Sequence, residues 1–449
     1  MRHVHIANGI ALKGMLVGFV GVVVFVVLGL GAVPTARADD SRIVISTETK
    51  ARKGMYPMAV PLPPTGDPQL AQLVTEVQTF DLNVSSWFKV LDPKSFLADL
   101  RGEDMSIDPQ KWASVGAYGV IKSHVTVSGS SATLEFKLYE VEKGAVPVLE
   151  KRYVGAAADA RKNVHKWCNE VVTYFTAEQG FFGSQVTFST SKKIMIMDFD
   201  GNGAYSVTKN DAINILPAMS PNGKNVAFTS YMRGNPDLYV VPTAGGRPLR
   251  VAKYNGMNTG AAWSPDGRNL AITLSKDGNA EIYLVNATDG TVVRRLTDNR
   301  YIDTSPAFSP DGSEIAFVSN REGNPQIFVM NIDGSNQRRV SMVGTWNQTP
   351  AWSPRKGARI LAYTARDDAT GRFDIVTLDL TNGKLTRITQ NQGNNEEPTW
   401  APNGRVLAFS SNRPGGSGLY LANADGTGEQ HVVYRGAGTS VDWGPMPSQ

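Results

Sequence analysis

The sequence of 449 residues predicts a mixed fold, in which a small N-terminal α/β domain precedes an all-β six-bladed propeller built of WD40-like repeats. Two patterns support this prediction. Up to about residue 180, apolar residues recur at helical spacing between short alternating runs. Beyond that point a turn motif of the Ser-Pro-Asp-Gly type returns about every 45 residues, which is typical of four-stranded propeller blades.

Residues 1–38 are predicted to be a secretory signal peptide rather than part of the fold. They carry three basic residues and no acidic one, and the uncharged apolar run 15–33 is followed by small residues around Ala38. An uncleaved membrane anchor is the alternative, because 19 apolar residues nearly span a bilayer. Without this segment the 45 Lys and Arg fall to 42 against 41 acidic residues, so the charge indicates no nucleic-acid partner.

Residues 52–180 are predicted to form the α/β domain. Asp67, which is followed by proline, is a typical N-cap for an amphipathic helix over 67–80. A second amphipathic helix is predicted over 159–175, and Cys168, the one cysteine in the sequence, lies on its apolar face as a core residue. Short apolar or alternating runs predict strands at 87–91, 119–122, 124–127 and 133–141.

Residues 181–449 are predicted to form the propeller. Each blade is expected to have a proline-containing turn after its inner strand and a glycine hairpin before its fourth strand. Fragments at 184–201 and 441–445 match parts of a sixth blade, so a blade built from both ends of this region is predicted to close the ring. The five complete turns start at Ser220, Ser264, Ser309, Ser353 and Ala401, at spacings of 44, 45, 44 and 48 residues.

The motifs of the sequence favour a binding module over an enzyme. Residues 198–203 fit the first half of an EF-hand calcium loop, but the twelfth position is Lys209, and a hairpin turn is the preferred interpretation. Beyond the signal peptide the sequence has three histidines, of which His165, on a predicted helix, is interpreted as structural. The alternative functions are an exported propeller glycan lyase or hydrolase and a small-ligand-binding protein, both of which would use the central channel.

The segments that enter the inner strands are polar and recur from blade to blade, at 258–260, 303–306, 348–350 and 396–398. In a propeller such loops crowd one rim of the central channel, where exposed polar groups can converge on a partner. Solvated turns without a partner are the alternative for any one of them. Taken together as a ring, these segments are the candidate binding site.

The order of signal peptide, α/β domain and propeller resembles the TolB family, the periplasmic component of the Tol-Pal envelope system, over nearly the whole mature chain. The run 175–182 is similar to the family's junction motif Thr-Gly-x-x-Gly-x-Phe, and 164–170 is similar to its His-x-x-x-Asp-Glu helix. Asn169 stands where the family has an acidic residue, and Ala177 where it has glycine. These departures affect the junction motif and leave the architecture unchanged.

The resemblance implies a periplasmic, monomeric binding protein without catalysis or cofactor, not inserted in the membrane once its signal is cleaved. It implies roles in outer-membrane integrity and in constriction at cell division. The propeller rim would bind the peptidoglycan-associated lipoprotein Pal, and segment 39–51 would bind the C-terminal domain of TolA by adding an edge strand. Some members also hold calcium in the channel. The resemblance assigns Pal binding to Met257, Asn258, Thr304, Ser305, Thr349, Glu396 and Glu397, and TolA binding to Asp39, Asp40, Ile43, Val44 and Ile45.

Overall fold

The computed structural model describes residues 55–64, 67–96, 100 and 103–447. The predicted signal peptide, the segment 39–51 and its expected strand lie outside the described residues. Within the described part, no helix is both long enough and apolar enough to cross a membrane. The chain forms an α/β domain followed by a six-bladed β-propeller, so the predicted fold class is confirmed.

The α/β domain is a five-stranded sheet with helices on both faces. Its elements are β1 (Tyr56–Ala59), α1 (Pro68–Val84), β2 (Phe88–Val90), α2 (Pro109–Ser114), β3 (Gly119–Ser128), β4 (Ser131–Glu140), β5 (Leu149–Ala156) and α3 (Ala160–Thr176). The strand order is β2-β1-β3-β4-β5, with β1 parallel to β2 and β3 and the other neighbours antiparallel. α1 and α3 pack on one face, and α2 covers the other with Trp112.

Local sequence explains helix α1 and the long strand β3. The Asp67 carboxylate accepts a hydrogen bond of 3.0 Å from the backbone of the first turn and so caps α1, as predicted. The prediction of separate strands at 119–122 and 124–127 was wrong, since both belong to β3. Ser123 does not interrupt the strand, because it pairs with Phe136 of β4, and its hydroxyl accepts a hydrogen bond from Gln78 of α1 at 3.2 Å.

Beyond α3, the described residues form six four-stranded antiparallel sheets, which are the blades of the propeller. In chain order the strands are β6 (Gln185–Ser189), β7 (Ile194–Asp198), β8 (Tyr205–Ser206), β9 (Asn214–Met219), β10 (Asn225–Arg233), β11 (Asn235–Pro242), β12 (Leu249–Ala252), β13 (Asn258–Trp263), β14 (Asn269–Leu274), β15 (Glu281–Asn286), β16 (Val292–Arg295), β17 (Asp303–Phe308), β18 (Glu314–Ser319), β19 (Gln326–Asn331), β20 (Arg338–Arg339), β21 (Asn347–Trp352), β22 (Ile360–Arg366), β23 (Phe373–Asp379), β24 (Leu385–Arg387), β25 (Asn395–Trp400), β26 (Val406–Ser411), β27 (Gly418–Asn423), β28 (His431–Arg435) and β29 (Thr439–Trp443). Blades 1 to 5 are β9–β12, β13–β16, β17–β20, β21–β24 and β25–β28, and blade 6 consists of β29, β6, β7 and β8.

The C-terminal strand β29 closes the ring, as predicted, by pairing antiparallel with β6. Within blade 6, Trp443 Nε1 donates a hydrogen bond to Ser184 Oγ at 2.9 Å. The neighbouring Asp442 accepts one from Met219 N of blade 1 at 2.7 Å. Thr399 Oγ1 of blade 5 accepts one from Trp443 N at 3.0 Å. The last inner strand is therefore fastened to both adjacent blades.

The α/β domain packs on the propeller face that carries the turns after the inner strands. α1 and α3 share one buried apolar cluster with residues of β6, β7 and β27. Glu178, which follows α3, forms a salt bridge with Arg405, next to the turn 401–404 of blade 5. Because neighbouring strands of a blade run in opposite directions, the inner strands begin at the other face of the propeller, which forms the rim.

A buried charged cluster fastens this junction. His165 of α3 lies between two carboxylates, with Nδ1 2.8 Å from Asp81 of α1 and Nε2 3.2 Å from Asp200 in the hairpin between β7 and β8. Arg161 Nε also donates to Asp200, at 2.9 Å. Although burial favours the neutral ring, the two carboxylates raise the pKa of His165 to about 9. The structural role predicted for this histidine is confirmed, and the two carboxylates favour the charged ring, although burial also raises the pKa of Asp81.

We expect the His165 cluster to make stability depend on pH. The pKa of about 9 in the folded protein is above the ordinary value of about 6.5, so the stabilisation is complete below pH 6.5 and is lost as the pH rises through 9. The free energy of unfolding, measured in urea, should therefore decrease from about pH 6 to about pH 9.5 in the native sequence. This decrease should be larger than that of the variant His165→Gln by on the order of 2 kcal/mol.

The variant His431→Gln is the matched control. Burial lowers the pKa of His431, so this ring adds a rise in stability with pH, and its replacement should leave the fall toward pH 9.5 in place or make it steeper. If the native sequence and His165→Gln instead differ by a constant free energy from about pH 6 to about pH 9.5, His165 does not carry a charge at the junction.

Candidate partner-binding rim

Every inner strand begins at the rim with the same backbone irregularity. Its pairing with the second strand shifts register, as in a β-bulge, after the second residue in blades 1 to 5 and after the first residue in blade 6. The residue that follows has a left-handed φ value in every blade, namely Leu216 (53°), Gly260 (63°), Ser305 (53°), Thr349 (52°), Glu397 (59°) and Ser440 (51°). The segments predicted as loops at 258–260, 303–306, 348–350 and 396–398 are therefore bulged strand ends, and the prediction of loops was wrong.

Side chains around the bulges join neighbouring blades. Glu397 N of blade 5 donates to Thr364 Oγ1 of blade 4 at 3.0 Å, and the same hydroxyl lies 2.8 Å from Thr349 Oγ1. On its other side the Glu397 carboxylate accepts hydrogen bonds from Ser440 N and, at 3.1 Å, from Ser440 Oγ of blade 6. A left-handed conformation costs a non-glycine residue about 1–2 kcal/mol, and here contacts with two other blades hold Glu397 in it.

The first residue of most inner strands is buried and organises the loop before it. Asn258 Nδ2 donates to Tyr254 O at 2.7 Å and to Pro236 O at 3.1 Å, and its Oδ1 accepts from Tyr254 N at 2.9 Å. Its predicted place among the exposed polar groups of the rim was wrong, because the loop backbone uses the whole amide. The equivalent residues Asn214, Asp303, Asn347 and Asn395 are also fully buried.

The other residues predicted to bind Pal lie at or beside the bulges of blades 2 to 5. The structure brings them together because each stands at the start of an inner strand, on the face opposite the α/β domain. All of them are half-buried, namely Met257, Thr304, Ser305, Thr349, Glu396 and Glu397. The residues predicted to bind TolA, Asp39, Asp40, Ile43, Val44 and Ile45, lie outside the described residues. All of these partner assignments stay predictions.

Glu396 is a half-buried acid of the rim with a strongly raised pKa. Burial and the neighbouring Glu397 raise the pKa of Glu396 to about 7. Its Oε1 accepts a hydrogen bond from Gln348 Nε2 at 3.4 Å, and Gln348 Oε1 accepts one from the Trp346 indole at 2.8 Å. Sequence reasoning did not single out Trp346; a tryptophan directly before a polar inner-strand start was the available signal.

Two further carboxylates make blades 5 and 6 the acidic side of the channel. Burial raises the pKa of Glu397, against the hydrogen bonds from Ser440. Burial also raises the pKa of Asp442 to about 6, against the hydrogen bonds that fasten β29. In the part of the chain that the structure describes, no basic side chain acts on the pKa of Glu396, Glu397 or Asp442. A partner that enters the channel meets acids without a counter-charge.

Calcium in the channel, which the family resemblance raised, stays a prediction. Among the described residues, no group of three or more His, Cys, Asp or Glu side chains is arranged to hold a metal. The EF-hand-like segment 198–203 is the hairpin between β7 and β8, in which Gly201 N donates to Asp198 O at 2.8 Å. Its Asp200 binds Arg161 and His165 of the junction. The segment therefore serves as a turn and as an anchor for α3.

The fold and the rim define a class of protein, a β-propeller with an N-terminal α/β domain and a ring-shaped candidate docking site. Residues 172–447 match the family model described as TolB beta propeller domain, and residues 42–146 match that of the TolB amino-terminal domain. The chain therefore belongs to the TolB family of Tol-Pal system propeller proteins, and the resemblance seen in its sequence is confirmed.

Known relatives extend this comparison. The Tol-Pal system protein TolB of Myxococcus xanthus is 41% identical over 403 residues, which are 87% of this chain and 92% of that protein. The match to the protein of the same name from Desulfosudis oleivorans is shorter, with 37% identity over 41% of this chain and 44% of the relative. A crystal structure of TolB from Acinetobacter baumannii shows the same fold, with a TM-score of 0.76 at 22% identity over 89% of this chain and 98% of that one.

The left-handed bulge gives a prediction about stability. Ser305→Gly should stabilise the protein by about 0.5–1 kcal/mol, because relief of the left-handed strain outweighs the added freedom of the unfolded chain. Gly260 already occupies the equivalent position of blade 2. Ser313→Gly, in an exposed turn of the same blade, is the control and should destabilise slightly. Equal thermal shifts for the two variants would show that the bulge at Ser305 carries no strain.

Proposed function

We propose that this protein is a non-catalytic periplasmic scaffold of the Tol-Pal envelope system, which binds Pal through the propeller rim and TolA through its mature N-terminus. In this role it supports outer-membrane integrity and constriction at cell division. The observation that carries the proposal is the ring of bulged strand ends at the rim, on the face that the α/β domain leaves uncovered. Membership of the TolB family supports it.

The rim suits a protein partner because its polar groups are fixed before binding. Thr304, Ser305 and Thr349 are half-buried on strands rather than on mobile loops, so little conformational entropy is lost when a partner docks. Met257 and Glu396 extend this surface toward the rim edge and the channel. We assign Asn258 and Glu397 an indirect role, in which they hold the backbone that the partner contacts.

The TolA interaction is assigned to segment 39–51, which precedes β1 in the chain. Its residues Asp39 and Asp40 are acidic, and Ile43, Val44 and Ile45 favour an extended strand that could pair with the edge of a partner sheet. The proposal divides the chain into a signal peptide at 1–38, this segment, the α/β domain at 52–180 and the propeller at 181–449, and it takes the mature protein as a monomer.

Thr304→Trp tests the Pal assignment. A bulky indole at the centre of the rim should prevent close docking and weaken binding of the soluble Pal domain at least tenfold, measured by surface plasmon resonance. Thr291→Trp is the matched control, because Thr291 is exposed in a hairpin on the opposite face of the propeller and the substitution should leave affinity unchanged. If both variants bind Pal like the native sequence, the rim is not the Pal site.

Replacement of the strand-forming residues tests the TolA assignment. Ile43, Val44 and Ile45 changed together to serine should abolish crosslinking to TolA in envelope preparations, because the segment loses its preference for an extended strand. Pal recovered in the same pull-down is the internal control and should be unaffected. If the triple variant, or a chain without residues 39–51, still crosslinks to TolA, this segment is not the TolA-binding site.

A further inference from the structure

The residue directly before each inner strand occupies an equivalent place in blades 1 to 5. Its carbonyl oxygen accepts a hydrogen bond from the backbone N–H just beyond, or at the end of, the second strand of the same blade. The contacts are Tyr231 N to Ile213 O (3.0 Å), Ser275 N to Met257 O (3.2 Å), Asn320 N to Ile302 O (3.3 Å), Arg366 N to Trp346 O (2.8 Å) and Asn412 N to Asn394 O (3.1 Å). The N–H groups of Met257, Ile302 and Asn394 also donate, to the side-chain oxygens of Ser275, Asn320 and Asn412. All of these contacts fix the backbone of the position rather than its side chain.

Four consecutive blades nevertheless place a large apolar side chain there. Ile213 is 43% exposed, and Met257, Ile302 and Trp346 are half-buried. The loop before Trp346 adds Met342, which is 70% exposed, and Val343, which is 38% exposed. We call these six residues the apolar crescent. Apolar side chains that cluster on one exposed edge are typical of interfaces, whereas single ones scattered over a surface are not.

The crescent covers only one side of the rim. At the same position blade 5 has Asn394, and the residue that corresponds to it in blade 6 is Ala437. These two blades instead bring Glu396, Glu397 and Asp442 to the channel. The rim is therefore divided into an apolar side on blades 1 to 4 and an acidic side on blades 5 and 6.

A chain of hydrogen bonds connects the two sides. Trp346, at the end of the crescent, donates to Gln348 Oε1 at 2.8 Å, and Gln348 Nε2 donates to Glu396 at 3.4 Å. Gln348 is 6% exposed, so it cannot turn to solvent without losing both contacts. The position of the indole and the orientation of the Glu396 carboxylate are thus coupled. A partner that packs on Trp346 also meets this carboxylate.

Among the described residues, Glu397 is the one charged group that acts on Glu396, and it has the same sign. An ionised Glu396 at this half-buried place is unfavourable unless a proton or an external cation neutralises it. A lysine or arginine of a partner can supply that cation, and the surrounding apolar contact would exclude water and strengthen the pair.

We propose that the rim recognises an amphipathic docking segment, whose apolar side chains cover the crescent and whose lysine or arginine pairs with Glu396. The inference rests on the proposed function, because it takes the rim as the site where a partner protein docks. It specifies the chemistry that the partner must present, an apolar patch next to one basic side chain. The observations that carry it are the one-sided crescent and the hydrogen-bond chain that ends at an uncompensated carboxylate.

The crescent is tested on the mature chain with the soluble Pal domain as the probe, by isothermal titration calorimetry. Ile213→Asp and Met342→Asp change exposed side chains, so both variants should fold normally, and each should weaken binding at least tenfold. Val293→Asp, at a residue that is 55% exposed on an outer strand, is the matched control and should bind like the native sequence.

The basic side chain is tested by the protons released on binding. With a pKa of about 7, Glu396 is about half protonated at pH 7, and pairing with a cation lowers that pKa. Titrations at pH 7 in buffers of different ionisation enthalpy should therefore report release of roughly half a proton by the native sequence, and none by Glu396→Gln. The variant should also lose more affinity at about pH 8.5 than at about pH 5.5, a difference that a merely structural role would not produce.

The outcomes separate this inference from the proposed function. If the native chain does not bind Pal, the proposed function fails. If Pal binds and Thr304→Trp abolishes binding while Ile213→Asp and Met342→Asp do not, the crescent is not part of the interface. Proton release of the same size in Glu396→Gln as in the native sequence excludes pairing of Glu396 with a basic side chain. Self-association of the native chain that either crescent variant abolishes, measured by sedimentation, would assign the crescent to a second copy of this chain instead.

Discussion

The candidate site depends on one backbone constraint, the bulge at which every inner strand leaves its regular pairing after its first one or two residues. The residue at the bulge has a left-handed conformation, and the regular pairing with the second strand is interrupted there. The bulge also creates the contacts between blades, since Glu397 reaches Thr364 on one side and Ser440 on the other only from this geometry. The same feature thus shapes the rim and holds the blades in register.

Much of the fold could be predicted from local signals. The repeated turn motif marks the blades, and the N-cap Asp67 marks α1, because both depend on residues a few positions apart. The bulges could not be predicted in this way, since their left-handed positions hold Leu216, Ser305 and Glu397 without a common residue type. The burial of Asn258 was missed for a related reason: its partners are backbone carbonyls, which carry no sequence signature.

At the junction between the two domains, the structure explains two sequence features that were hard to interpret alone. His165 alone indicated only a structural residue, and residues 198–203 resembled a calcium loop without its final ligand. In the folded chain the two features belong to one charged cluster, because Asp200 of that hairpin pairs with His165. Asp81, the other partner, is 84 residues away in sequence, so no spacing rule could have linked them. Because these contacts hold the α/β domain on the turn face, the rim at the opposite face stays uncovered by it.

The closure of blade 6 has a consequence for the order in which the molecule is completed. Thr439 of β29 pairs with Ser189 of β6, and 250 residues separate them in the chain. The other three strands of the blade are synthesised long before the strand that lies innermost beside them. Contacts of such high sequence separation form late and slowly. We therefore expect a nascent propeller with an unpaired sheet edge at β6, on which chaperones can act until β29 is synthesised, and a finished ring that opens within blade 6 when β29 is released.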